Sequence, residues 1–183
     1  MKRSYFILFL IVLTQCAGPE PRRPVSVKTG SFIKQSVERN KELLAQEENL
    51  IQSIIEADSL HQYLSTDFGA WYYFDNQPET ETERAGTDDL LSMNYNLLSL
   101  QNDTIYSEDE LGTISFRVDK EELFPGLRSA VKLMGEGETA TFLFPSHLAY
   151  GYHGDNEKIG PNTPLKSTIT ILKIEKSKDS ILN

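Results

Sequence analysis

A chain of 183 residues with 27 acidic and 18 basic side chains has a net charge of −9, which a phosphate backbone repels, so nucleic acid is not expected as a partner. Hydrophobic residues at 39% and charged residues at 25% fit a folded domain with extensions, and not a disordered or membrane-spanning chain. The single cysteine, Cys16, cannot form an internal disulfide, so the fold needs none.

The chain opens with Lys2 and Arg3, and an almost wholly apolar run follows from Tyr5 to Leu13. That is the layout of a secretory signal, and the run is too short for a membrane-spanning helix, which needs about 20 apolar residues. Residues 1–15 are therefore read as a lipoprotein-type signal peptide. Leu13-Thr14-Gln15-Cys16 resembles a bacterial lipobox, although Gln15 stands where Gly, Ala or Ser is usual. The resemblance implies a lipid on Cys16 and a membrane partner through it. An ordinary signal peptide with an incidental cysteine is the alternative. Pro19, Pro21 and Pro24 then suggest a stiff, extended tether over residues 16–30.

From Ser31 to Leu64 the chain has neither Pro nor Gly. Leu44, Ile51 and Ile55 share one helical face, while Arg39, Lys41, Glu42, Glu47 and Glu48 fall largely on the other. An amphipathic helical arm is expected over residues 31–66. Its apolar stripe either packs on the protein's own domain or serves as a homodimer or partner-binding arm.

A change of texture at Gly69 opens a domain expected over 69–177, with a tail at 178–183. Ala70 to Phe74 is aromatic and β-prone. Glu79 to Asp89 reads as a solvated acidic loop with no metal-ligand spacing. Leu90 to Leu100, Thr104 to Tyr106, Gly112 to Val118, Thr139 to Phe144 and Thr168 to Ile174 are strand candidates. Pro125 to Met134 reads as one short helix, with Pro at its start and Gly135 as its stop. Antiparallel strands with one crossing helix give an α+β class: a twisted antiparallel sheet wrapped on a short α-helix, preceded by the helical arm.

Within that frame, Pro125-Gly126-Leu127, Gly135-Glu136-Gly137-Glu138, Pro145-Ser146, Ala149-Tyr150-Gly151 and Gly160-Pro161-Asn162-Thr163-Pro164-Leu165 follow one another, and Ile171-Leu172-Lys173-Ile174 closes the run. In order and spacing this resembles the FKBP-type peptidyl-prolyl isomerases, and the likeness extends more loosely back to Gly69. The layout also resembles the gliding-motility-associated isomerase lipoproteins. The resemblance implies a substrate groove in which Tyr150, Phe124 and Tyr95 act on the substrate, with Ile105, Tyr106, Ile114, Leu123, Leu127 and Ile159 lining it. It implies that the backbone N–H of Phe124 and the hydroxyl of Tyr150 hold substrate carbonyls. Four positions depart from the family. Tyr106 replaces a pocket aspartate, Leu127 a floor tryptophan, and Ser167 and Ile114 pocket phenylalanines.

An apolar groove suits prolyl isomerisation, because the reaction breaks no bond and needs only a preference for the twisted amide. No cofactor or metal is implied. Proline-containing exported polypeptides in a bacterial cell envelope are the expected substrates. The alternative is a catalytically weak binding or assembly module, such as a chaperone or a component of an envelope complex.

Overall fold

The computed structural model describes residues 29–79 and 82–177, so Cys16, the signal-like run, the tether and the tail lie outside the described residues. In chain order, the elements are α1 (Thr29–Ala57), β1 (Leu64–Ser65), β2 (Trp71–Asn76), β3 (Leu90–Tyr95), β4 (Leu97–Leu98) and β5 (Thr104–Tyr106). They continue with α2 (Glu108–Leu111), β6 (Ile114–Arg117), α3 (Pro125–Ala130), β7 (Thr139–Phe144) and β8 (Leu165–Glu175). The sheet runs β1-β2-β7-β8-β3-β6, with β4 and β5 as a hairpin beside β8, and the pairings between its described strands are antiparallel.

β8 is the spine of the sheet. It pairs with β7 from Thr139↔Thr170 to Phe144↔Leu165 and with β3 from Leu90↔Glu175 to Tyr95↔Ile169. Along it Leu165, Ser167, Ile169 and Ile171 are buried in alternation, as a half-covered strand requires. Threonine pairs lock the β7–β8 register, with Thr139 to Thr170 at 3.1 Å and Thr141 to Thr168 at 2.8 Å between hydroxyl oxygens.

The strand expected over Leu90 to Leu100 is broken at Asn96. There the Asn96 N–H donates to the Thr168 carbonyl and its side-chain oxygen accepts from the Thr168 N–H. The expected 125–134 helix is α-helical only to Ala130 and tightens to a 3₁₀ turn at Val131–Leu133. Leu127, Ala130, Val131 and Met134 form its buried stripe. Gly126 is there for close approach, since a Cβ would lie 2.6 Å from a Phe144 ring carbon and 2.9 Å from the Leu148 carbonyl. Gly135 does not stop the helix by a left-handed backbone. It is needed because a Cβ would run into the Thr82 side chain.

Two apolar clusters flank the sheet. The larger one, on the α3 side, includes Leu91, Met93, Phe116, Leu127, Phe142, Phe144 and Ile169. The smaller one joins Ile51 of α1 to Leu143 and Leu100, with Ile54, Ile55, Tyr63 and Trp71 around them. The part of α1 from Arg39 onward belongs to one compact unit with the sheet, and the turns before it form a separate unit. α1 ends at Ala57, short of Leu64, because Asp58 turns the chain. Its carboxylate accepts from the Leu60 N–H at 3.0 Å and the Tyr63 hydroxyl at 3.1 Å, and it contacts His61 Nδ1 at 2.8 Å.

Two acidic residues read as solvated are buried instead. Asp89 is fully covered, accepting from the Gly86 and Ser177 N–H groups at 2.8 Å and pairing with Lys176 at 3.2 Å. Glu47, assigned by its charge to the outer face of α1, is only 6% exposed. Its helical position is four residues before Ile51 and three after Leu44, which is the packed stripe itself.

If Ile51 anchors α1 to the sheet, Ile51→Ala should lower unfolding free energy by about 2–4 kcal/mol. Urea unfolding followed by circular dichroism measures it, and a change near zero would mean that the helix does not share the domain's cooperative unit.

Candidate functional site: an apolar cluster between the helix and the sheet

The residues expected to line a groove come from segments that the sheet brings together. The alternation of β3 turns Leu91, Met93 and Tyr95 to the core face, and Tyr95 ends that row, buried at the end of the strand. Phe124 caps α3 in an extended conformation, with Pro125 following, so its ring turns inward just before the helix starts. It meets Phe144 of β7 edge-on at 5.5 Å and Tyr150 at 5.4 Å between ring centroids. Ile159 is buried in the cluster.

The nine residues singled out from sequence all fall in or against this one cluster. Tyr95, Phe124, Leu127 and Ile159 are buried within it, while Ile105, Tyr106, Ile114, Leu123 and Tyr150 pack at its edge. Leu127, in place of the family tryptophan, is fully covered and belongs to the packed floor. Ser167 does not reach toward the groove as a phenylalanine would. Its hydroxyl donates to the Asn96 carbonyl at 2.6 Å and closes the break between β3 and β4.

Tyr150 follows a 3₁₀ turn at Ser146–Leu148. The N–H groups of Ala149 and Gly151 both donate to the Ser146 carbonyl, at 3.0 and 2.9 Å, so the residues flanking Tyr150 hang on one acceptor. The Asn162 N–H donates to the Gly151 carbonyl at 2.8 Å and ties this loop to the next.

Sequence reading missed Asp155. Tyr106 stands where the family carries an aspartate, and its hydroxyl donates to Asp155 Oδ2 at 2.6 Å and to Glu157 at 3.3 Å. The carboxylate is therefore still at the groove edge, contributed by the opposite loop. Asp155 Oδ1 also accepts from the N–H groups of Glu157 and Ile159 at 2.8 Å each, and the Asp155 N–H donates back to the Ile159 carbonyl at 3.1 Å. One side chain thus shapes the loop that carries Ile159. Lys158 lies 4.5 Å over the Tyr106 ring. An Asp followed two residues later by Glu and four later by Ile is compatible with such a turn, but the partner Tyr106 is far away in sequence.

The electrostatics follow from these contacts. Burial opposes the charge on Asp155, yet the hydrogen bonds from Tyr106, Glu157 and Ile159 together outweigh it and hold the carboxyl below the usual range. Donation to Asp155, then burial, raises the Tyr106 hydroxyl. Burial, followed by the proximity of Tyr95 and Asp155, pushes Tyr150 up to about 12. Tyr95 is raised by burial alone. These phenols keep their protons at neutral pH, so each can donate a hydrogen bond. Among the described residues neither the Tyr150 hydroxyl nor the Phe124 N–H has a hydrogen-bond partner. Two free donors thus stand beside an apolar cluster.

The chain is also similar to known proteins. The family model for FKBP-type peptidyl-prolyl cis-trans isomerases matches residues 81–172. The probable FKBP-type peptidyl-prolyl cis-trans isomerase FkpA of Neisseria meningitidis serogroup B is 32% identical over 96 residues, which are 51% of this chain and 34% of that protein. The chain thus spans about a third of the length of that curated relative. Two solved structures share the fold. A peptidyl-prolyl cis-trans isomerase from Pseudomonas syringae pv. tomato has a TM-score of 0.57 at 20% identity, covering 74% of this chain and 96% of its own. FkpA from Escherichia coli has a TM-score of 0.58 at 18% identity, covering 96% of this chain and 83% of its own. With the family model spanning half of its length and the groove residues gathered in one cluster, this chain belongs to the FKBP-type peptidyl-prolyl cis-trans isomerase family.

Proposed function

We propose that this chain is a peptidyl-prolyl cis-trans isomerase for exported proteins in a bacterial cell envelope, held there by a lipid on Cys16. The observation that carries the catalytic reading is the pair of donors without partners among the described residues, the Phe124 N–H and the Tyr150 hydroxyl, beside the apolar cluster of Leu127, Ile159 and Tyr95. Rotation about an X–Pro bond meets a barrier of about 18–20 kcal/mol from amide resonance. Placing the bond among apolar side chains strips water from the carbonyl oxygen, whose partial charge is greatest in the planar amide. The groove holds the proline ring while the preceding residue turns, and the donors fix the flanking carbonyls. No proton is transferred, which agrees with hydroxyls that keep theirs.

A second reading, in which the arm holds a partner or a second copy of the chain, has its own support. Phe32, Ile33 and Val37 of α1 are 68%, 60% and 46% exposed, an apolar patch that water disfavours. Deleting residues 29–38 should then remove co-purifying partners or shift the protein to a lower mass in sedimentation. Unchanged partners and mass would count against an arm interface.

The catalytic reading predicts acceleration of a Leu-Pro or Phe-Pro peptide in a direct isomerisation assay. Loss of one neutral hydrogen bond in Tyr150→Phe should lower kcat/KM about tenfold, and Phe124→Asp, which puts a charge against the apolar wall, should bring the rate to the uncatalysed one. A wild-type rate equal to the uncatalysed rate sinks the proposal.

The carboxyl of Asp155 is held low in the folded state, so its contribution to stability is complete above the unfolded value, about 3.9, and is lost as pH falls through the folded value. Asp155→Asn should therefore flatten the acid limb of the urea midpoint against pH, and an unchanged acid limb would mean that the Tyr106 contact adds nothing.

A further inference from the structure

Glu47 is a buried carboxylate on the arm helix that makes both of its contacts with one distant residue. Its Oε2 accepts from the Ser146 N–H at 2.8 Å and its Oε1 from the Ser146 hydroxyl at 2.7 Å, across 99 residues of chain. Glu47 is 6% exposed and Ser146 3%. Among the described residues no lysine, arginine or histidine pairs with Glu47. A buried carboxylate without a cation is costly unless its oxygens are well bonded, so the Ser146 contacts are what make this placement tolerable.

The other side of Ser146 faces the groove loop. Its carbonyl is the acceptor for the N–H groups of Ala149 and Gly151, on either side of Tyr150. The backbone that carries the Tyr150 hydroxyl hangs on Ser146, and Ser146 in turn hangs on α1. Packing does not replace this link. A cavity of about 320 Å³ lies between α1 and the loop, lined among others by Leu44, Glu47, Ser146, Gly151 and Tyr152. Without the carboxylate, the loop has room to move on that side.

We propose that Glu47 is a positioning residue for the groove: through Ser146 it fixes the Tyr150 loop, so the arm helix governs turnover even of peptides too short to reach it. The kinetic part rests on the isomerase reading above, and the structural part does not.

The test uses the whole chain and its Glu47→Ala, Glu47→Gln and Ser146→Ala variants. Amide hydrogen exchange is read at Ala149 and Gly151, and isomerisation is measured on a four-residue Leu-Pro peptide. In Glu47→Ala, exchange at both amides should rise about tenfold while the β7–β8 ladder amides keep their protection. kcat should fall about tenfold with KM within about twofold, as for loss of a group that acts in the transition state. Glu47→Gln, which keeps one acceptor oxygen, should recover part of both. Added to Tyr150→Phe, Glu47→Ala should cost less than about twofold more, because the two act through one hydroxyl. Unchanged exchange at Ala149 and Gly151 would overturn the proposal, as would a full tenfold loss on the Tyr150→Phe background. If the wild type does not isomerise the peptide, the isomerase reading fails and the exchange result alone decides the clamp. If Glu47→Ala does not fold, Ser146→Ala, which removes only the hydroxyl bond, should raise the same two exchange rates, and unchanged rates there overturn the clamp.

Discussion

β7 is covered on both faces, and both halves of the molecule depend on that. Ala140, Phe142 and Phe144 join the cluster beneath α3, while Leu143 joins Ile51 of α1. From Ala140 to Phe144 every residue is buried. An antiparallel strand usually leaves one face to water, and a strand buried on both sides needs a cover on each. Here the covers are the short helix of the groove and the second half of the arm. Phe144 then meets Phe124 edge-on and Leu143 meets the arm, one residue apart in the chain. The arm from Arg39 onward is therefore part of the domain's packing as well as an extension of it.

Much of this was legible in the residues. The two-residue alternation of β8 and the Pro-Gly-Leu start of α3 are local signals, and they give the strands and the helix that bound the groove. The residues expected to line a groove were chosen by motif order, because a buried Leu127 or Ile159 looks like any other core residue taken alone, and the fold gathers them in one cluster. Glu47, Asp89 and Asp155 were not found. Each is a carboxylate with a partner far along the chain, at Ser146, at Lys176 with Ser177, and at Tyr106. Sequence patterning sorts residues by polarity, so it sends acidic side chains outward. It cannot see a distant donor that makes burial tolerable.

Tyr106 illustrates how a departure from a family pattern can be answered elsewhere in the fold. Read alone, it removes a carboxylate from the groove edge. In the fold, its hydroxyl binds Asp155 on the facing loop, which supplies a carboxylate from the other side and shapes the turn to Ile159. Ser167 differs in kind. It exchanges an aromatic wall for a bond to the Asn96 carbonyl, trading groove surface for closure of the strand break.

The chain has a single tryptophan, and it does not sit where the family's groove tryptophan does. Trp71 lies with Ile51, Leu143 and Leu100 in the cluster that α1 covers, and Leu127 occupies the groove floor. Intrinsic indole fluorescence is therefore a reporter of the helix seat, on the smaller cluster and not the larger one. A change in that emission reports first on the seat that α1 and β2 share.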